Sequence, residues 1–165
     1  MQGTTLISHR RPGLRSAFVI VPELEFILAG LVGLAAWEAV ARLVAPLWIG
    51  GVLDPSGLVQ AALGVESEAL AMAVHVATAV LLFPLGWLLV GRPILRLLGP
   101  AFTGIFGGLA YGVGLWVFAM VVVVHFLAGM PPFLEWQPLA WVSLLGHVAY
   151  GAAMTGVLAW FRDAT

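Results

Sequence analysis

Four long apolar segments constrain this sequence more than any other feature. They cover about residues 24–47, 67–90, 101–127 and 139–161. A helix rises about 1.5 Å per residue, so about 20 apolar residues cross a hydrocarbon core roughly 30 Å thick. With 62% hydrophobic and 9% charged residues, the chain cannot surround these segments with a polar surface. The sequence therefore predicts an all-α integral membrane protein with four transmembrane helices.

The remaining residues form short connections. Residues 1–20 are polar and lack the apolar run of a secretory signal, so we predict a cytoplasmic N-terminal arm before a single transmembrane domain at 21–165. Asp54 is suited to cap a short helix with Pro55 at its first position. This helix is too short to span, so we expect it to lie at the interface. The segment "GRPILRLLGP" predicts a tight turn between the second and third spans.

Arginine, which is the only basic residue besides histidine, predicts the orientation of the helices. Six of the seven arginines fall on one side of the threaded chain. These are Arg10, Arg11, Arg15, Arg92, Arg96 and Arg162. Loops rich in arginine stay in the cytoplasm, so both termini are predicted to lie inside. Arg42 differs, because it lies within the first span, from which a long side chain can reach the outer interface.

Glycine is concentrated in the third span. The glycines are Gly104, Gly107, Gly108, Gly112 and Gly114, and at 100° per residue they cover an arc of roughly 160° of the helix. Small residues allow helix backbones to approach closely, so we interpret this arc as a helix-packing surface. The alternative interpretation is a groove for a cofactor, a lipid or another helix.

Two histidines lie inside apolar spans. The segments "HVATAVLLFPLGWLL" and "HVAYGAAMTGVLAWF" begin at His75 and His147 and run in the same direction, so the chain is interpreted as two related helical hairpins. On ideal helices both histidines lie about 5 Å to the outside of the span midpoint, and Glu38 lies about 4 Å to the outside. His125 lies near the interface.

This layer has three interpretations. In the first, Glu38, Arg42, His75 and His147 form a buried polar layer, with Glu38 and Arg42 one helical turn apart, which ties the helices together by hydrogen bonds. In the second, His75 and His147 bind a cofactor, haem b or a pigment. In the third, the layer belongs to a proton or ion path, although the inner halves of the second and fourth spans offer few polar groups.

Enzyme chemistry and nucleic-acid binding receive no support from the sequence. The chain has no cysteine, no phosphate-binding glycine loop, no serine elbow and no paired histidines with metal-ligand spacing. A basic nucleic-acid surface is also lacking. We therefore predict no catalytic residues, no metal site and no resident cofactor.

The order of the spans resembles the YagU-type small inner-membrane proteins and their four-span relatives. The resemblance covers about residues 25–161 and is carried by "GGLAYGVGLWVFAM" and by the His-x-x-Tyr-Gly of His147, Tyr150 and Gly151. It implies a compact bundle in a bacterial inner membrane and brings no settled activity or ligand. The N-terminal arm and the loop around Asp54 lie outside the match.

The functional expectation is a non-catalytic membrane subunit. The chain has too little extramembrane mass for an enzyme or receptor domain, and the wide glycine arc offers a contact surface. We expect an accessory or packing subunit of a larger membrane complex, of the respiratory or photosynthetic kind, held by partner subunits and lipid. The alternatives are a bis-histidine haem b carrier and a small proton- or ion-conducting bundle.

Overall fold

The computed structural model describes residues 22–99, 102 and 104–164, and the predicted N-terminal arm at residues 1–20 lies outside the described residues. Four helices are long and apolar enough to cross a membrane: α1 at Leu24–Ile49, α3 at Glu68–Arg96, α4 at Ile105–Leu127 and α5 at Pro138–Phe161. A short helix, α2, covers Ser56–Leu63 between α1 and α3. The described residues contain no strand. The prediction of an all-α, multi-pass membrane protein with four spanning helices is confirmed.

The fourth spanning helix is the centre of the bundle. α5 packs along both α1 and α4, whereas α3 packs mainly on α1. The short helix α2 lies across one end of the bundle, where it contacts the first turns of α3 and the last turns of α4. We call this end the α2 end. The arginine pattern predicts that it faces outwards.

Glycines set the separation of α4 and α5. A Cβ atom added at Gly108 would collide with Thr155 Oγ1 and the Gly151 carbonyl, and one added at Gly112 would collide with the His147 carbonyl. Gly107 lies equally close to the carbonyl of Phe102. By contrast, Cβ atoms at Gly104 and Gly114 would enter open space. Three of the five predicted packing glycines therefore lie against another backbone, and two do not.

Three prolines lie inside spanning helices, and each is the second residue after a π-helical segment. The segments are Val40–Val44, Thr78–Leu82 and Trp87–Gly91, which precede Pro46, Pro84 and Pro93. A proline ring clashes with the carbonyl four residues earlier, and in each case that carbonyl belongs to the wider π segment. The helices therefore continue through the prolines. The turn predicted for "GRPILRLLGP" is wrong in its first half, since α3 runs on to Arg96.

The proline in α3 leaves one carbonyl without a helical donor. The Phe83 amide donates to the Thr78 carbonyl, five residues back, and Pro84 has no amide hydrogen. Neither of the two usual donors therefore reaches the Ala79 carbonyl. The Tyr150 hydroxyl of α5 donates to it instead, at 2.5 Å. The carbonyl that the proline frees in α3 thus forms a buried hydrogen bond with a side chain of α5.

The proline in α1 has the same effect on the Ala41 carbonyl. The Ala45 amide donates to the Val40 carbonyl, and Pro46 has no amide hydrogen to donate. The Leu53 amide, in the connection that leads to α2, donates to Ala41 at 3.1 Å. The irregularity in α1 therefore fixes the start of the segment that carries α2.

The connection between α4 and α5 is a left-handed turn. Phe133, Leu134, Glu135 and Trp136 all have positive φ, between 49° and 60°. The rings of Phe133 and Trp136 stack with centroids 4.7 Å apart, and the Trp116 ring packs against both. These aromatic contacts hold a backbone conformation that costs L-residues about 1–2 kcal/mol each.

Candidate functional site

A cavity of about 630 Å³ occupies the α2 end of the bundle. All four spanning helices and α2 contribute to its walls, which are predominantly apolar. α2 bridges the neighbouring ends of α3 and α4, so the two helices are held apart in this half. Their direct packing lies in the opposite half, between Trp87–Gly91 and Ile105–Phe118. The cavity is thus the space that α2 covers between α3 and α4.

Aromatic side chains close the cavity at mid-bundle. Phe83 and Tyr150 meet edge to face with ring centroids 5.5 Å apart, and both line the cavity. Beyond them, Trp87 and Tyr111 meet in the same way at 5.4 Å. The Tyr111 hydroxyl donates to the Phe83 carbonyl at 2.7 Å. This packed layer separates the cavity from the other end of the bundle.

His147 presents one defined ring nitrogen to the cavity. Its side chain is 9% exposed, and its Nδ1 lies 2.8 Å from the Ser143 carbonyl oxygen, one turn earlier on α5. A carbonyl oxygen only accepts hydrogen bonds, so Nδ1 carries the hydrogen. In the neutral imidazole Nε2 then has a free lone pair. His147 lines the cavity, which leaves Nε2 as the atom available to a ligand.

His75 has a buried nitrogen without a partner. Its ring packs against Trp37 with centroids 5.1 Å apart and lines the same cavity as His147. Among the described residues nothing hydrogen-bonds to its buried Nε2. Buried polar atoms in folded proteins are nearly always paired, so each exception requires an explanation. The structure therefore brings the two predicted histidines to one cavity, one with a free acceptor and one with an unpaired nitrogen.

Glu38 and Arg42 lie differently from the prediction. They form an ion pair on α1, with Arg42 Nε 2.7 Å from Glu38 Oε2, and the Arg42 side chain is 62% exposed whereas that of Glu38 is 26% exposed. Neither residue lines the cavity. The assignment of Arg42 to a buried layer is therefore wrong. The physical reason is that two opposite charges one helical turn apart on the same helix neutralise each other. They therefore do not require partners on other helices.

Asp54 supplies a charge at the covered side of the cavity. The N-cap position of α2 is Pro55 and not Asp54, so the prediction of Asp54 as the cap is wrong. The Asp54 Oδ1 nevertheless accepts a hydrogen bond from the Ser56 amide at 2.9 Å, at the start of α2. This hydrogen bond holds the pKa of Asp54 below its ordinary value. Asp54 also lines the cavity, and no arginine does so among the described residues. Asp54 is therefore the one formal charge that the described residues place on the wall, and it is negative.

Metal ligation by protein side chains alone receives no support. The described residues contain no group of three or more histidine, aspartate or glutamate side chains that could hold an ion. His125 lies outside the cavity, and its Nδ1 pairs with the Met130 carbonyl at 3.0 Å. The chemistry of the site is therefore that of an apolar cavity with a few hydrogen-bonding groups.

Comparison with known proteins supplies no family. The chain matches no family model, and no curated protein or solved structure matches it. The resemblance to the YagU-type proteins stays a prediction.

Proposed function

We propose that this chain is a non-catalytic binding protein of a bacterial inner membrane and that its cavity holds a membrane-soluble small molecule. The unpaired, buried Nε2 of His75 carries the proposal. Leaving a buried nitrogen unpaired costs about 1–3 kcal/mol, and a ligand group that hydrogen-bonds to it removes this cost. The cavity provides the space, and the His75 ring that carries the nitrogen lines it.

The size and the walls of the cavity support the same proposal. A volume of about 630 Å³ lies within the range of roughly 300–1,000 Å³ that is typical of small-molecule sites. Such sites combine mostly apolar walls with a few placed polar groups, which here include Asp54, His75, His147 and Tyr150. We infer that a molecule dissolved in the bilayer enters on the side where α3 and α4 are held apart.

The test is retention of a molecule by the purified protein. Wild-type protein extracted gently from its native membrane should carry a bound apolar compound, detected by native mass spectrometry. The variant Val123→Phe fills the cavity wall of α4 and should lose the compound, whereas Val117→Phe on the exposed face of the same helix should keep it. Wild-type protein that retains no compound, in mild detergent and in nanodiscs alike, contradicts the proposal.

A second proposal is haem b binding by His75 and His147. The bond from His147 Nδ1 to the Ser143 carbonyl favours it, because metal-bound histidines commonly anchor their second nitrogen in this way. The Asp54 carboxylate weighs against it, since haem carries two propionates and the wall offers no arginine to pair with them. An absorption spectrum decides the matter. A Soret band that disappears in His75→Ala or His147→Ala supports haem, and a colourless native protein rules it out.

We further propose that the chain is an accessory subunit of a larger membrane complex. The described residues outside the spanning helices are few, and this favours a protein that works by contact with partner subunits. Mild extraction followed by a native gel and mass spectrometry tests the proposal, and a lone monomer or homo-oligomer contradicts it.

Conduction of protons or ions has the weakest support, because the aromatic layer fills the bundle beyond the cavity.

The orientation is tested by single cysteines, since the native chain has none. Glu66→Cys lies in the exposed connection at the α2 end, and Leu97→Cys lies at the exposed end of α3. An impermeant thiol reagent added to intact cells should label the cysteine at position 66 and not the one at position 97. Labelling at position 97 alone reverses the proposed orientation.

A further inference from the structure

Resting on the proposed ligand-binding function, we propose that the ligand has a neutral hydroxyl head group, an alcohol or a phenol on an apolar body, which binds between His75 and His147. The proposal names the chemical class of the molecule in the cavity. It depends on the hydrogen-bonding state of the two imidazoles and on the charge of the wall.

His147 can form a hydrogen bond only with a ligand group that donates a hydrogen. Its Nδ1 hydrogen is used by the Ser143 carbonyl, so Nε2 of the neutral ring can only accept. A carbonyl, ether or ester oxygen of a ligand has no hydrogen to give to such a nitrogen. A hydroxyl group does.

His75 can supply the complementary bond. Its Nε2 is buried and unpaired within the part of the chain that the structure describes, and both imidazole rings line the same cavity. With the hydrogen on Nε2, His75 donates. A hydroxyl group both donates and accepts, so one hydroxyl can donate to His147 and accept from His75 at the same time. This is the smallest head group that satisfies both rings.

The charge of the wall selects a neutral head group. Asp54 lines the cavity, and the hydrogen bond from the Ser56 amide favours its ionised form. Arg42, the arginine nearest to it in sequence, is paired with Glu38 outside the lining. An anionic head group would therefore enter an apolar cavity beside a carboxylate and without a cation. A fatty acid is disfavoured for this reason, and an alcohol is not.

The experiment uses three photoreactive probes in nanodiscs that contain the full-length protein. All three carry the same long alkyl chain with a diazirine, and they end in a hydroxyl, a methyl ether or a carboxylate. The labelled peptides are mapped and the labelled fraction is measured by mass spectrometry. The variants are His147→Phe and, as the matched control, His125→Phe, because His125 lies outside the cavity and is exposed.

The proposal predicts that the alcohol labels cavity residues of the wild type about 2- to 12-fold more than the ether, which is the range of one hydrogen bond. This ratio should fall to about 1 in His147→Phe and remain unchanged in His125→Phe. The carboxylate should label less than the alcohol.

The outcomes separate the two proposals. Equal labelling of the wild-type cavity by the alcohol and the ether overturns the hydroxyl head group and leaves the ligand-binding function standing. A carboxylate that labels as strongly as the alcohol overturns the neutral head group. If no probe labels any cavity residue, the proposed function itself fails. The wild-type comparison decides the head group even where a histidine variant does not fold.

Discussion

Replacing Tyr150 by phenylalanine removes the one donor that reaches the Ala79 carbonyl. The change deletes a single oxygen atom and keeps the ring, which packs edge to face on Phe83. We expect Tyr150→Phe to lower the free energy of unfolding, because a buried carbonyl of α3 then has no partner.

The magnitude follows from the geometry. The Ala79 carbonyl cannot recover a helical donor, since the Phe83 amide is used by Thr78 and Pro84 has no amide hydrogen. An unpaired buried acceptor costs about 1–3 kcal/mol, whereas hydrogen bonds between membrane helices average about 0.6 kcal/mol with a maximum near 1.7. We therefore expect a loss of about 1–2 kcal/mol, at the upper end of the membrane range.

The assay is reversible unfolding in mixed micelles, with Tyr111→Phe as the matched control. The Tyr111 hydroxyl also donates to a carbonyl of α3, that of Phe83, at 2.7 Å. This carbonyl already accepts the Trp87 amide, so it keeps a partner when the hydroxyl is removed. The control should cost about 0.5 kcal/mol or less.

A double-mutant cycle with Pro84→Ala tests the cause. An alanine at position 84 restores an amide hydrogen, so the Ala79 carbonyl regains a donor from its own helix. In that background the cost of Tyr150→Phe should fall below about 0.5 kcal/mol. If Tyr150→Phe costs no more than Tyr111→Phe, or costs the same with and without Pro84, the reasoning is refuted.

Three further predictions follow from single positions. Gly112→Ala should destabilise the bundle by about 1–3 kcal/mol, because its Cβ would collide with the main chain of α5, while Gly114→Ala, which faces open space, should be neutral within about 0.5 kcal/mol in the same unfolding assay. The pKa of Asp54 is lowered from 3.8 by its hydrogen bond to the start of α2, so its contribution to stability is complete above that value and is lost as the pH falls through the folded pKa. Unfolding free energies measured between about pH 5 and pH 3 should show this loss, and Asp54→Asn, which keeps the acceptor, should remove it. Glu135→Gly should raise the thermal midpoint, because glycine relieves the positive φ of 54°, whereas Gln137→Gly, at φ −60°, should lower it.

The spanning helices could be predicted from the sequence because the bilayer imposes a length and a composition on each of them. The behaviour of Pro46 and Pro93 could not. A proline normally signals the end of a helix, and the π segments that carry α1 and α3 past their prolines have no sequence signature of their own. The carbonyls left without a helical donor by Pro46 and Pro84 accept hydrogen bonds from Leu53 and Tyr150, which a local pattern cannot reveal.

The candidate site could be predicted from the sequence only in part. Equal depth on ideal helices grouped His75 with His147, and both line one cavity. Arg42 joined this layer only through its spacing of one helical turn from Glu38, and neither spacing nor depth specifies which side of a helix faces the bundle. The bond that orients His147 could not be predicted, because its acceptor is the backbone carbonyl of Ser143 and every residue has a backbone carbonyl. The cavity itself depends on α2 holding two helices apart, and no residue pattern expresses that.

The central position of α5 has a consequence for biogenesis. α5 follows the other three spans along the chain, yet it is the helix on which α1 and α4 both pack. During synthesis the earlier spans therefore enter the membrane before the helix on which α1 and α4 pack. Until α5 is inserted, the Ala79 carbonyl lacks its hydrogen-bond donor, the Tyr150 hydroxyl. The bundle closes only when α5 is inserted. A chain that stalls before this point leaves the Ala79 carbonyl without its Tyr150 donor and leaves α1 and α4 without the helix on which both pack, so we expect it to be less stable than the complete bundle.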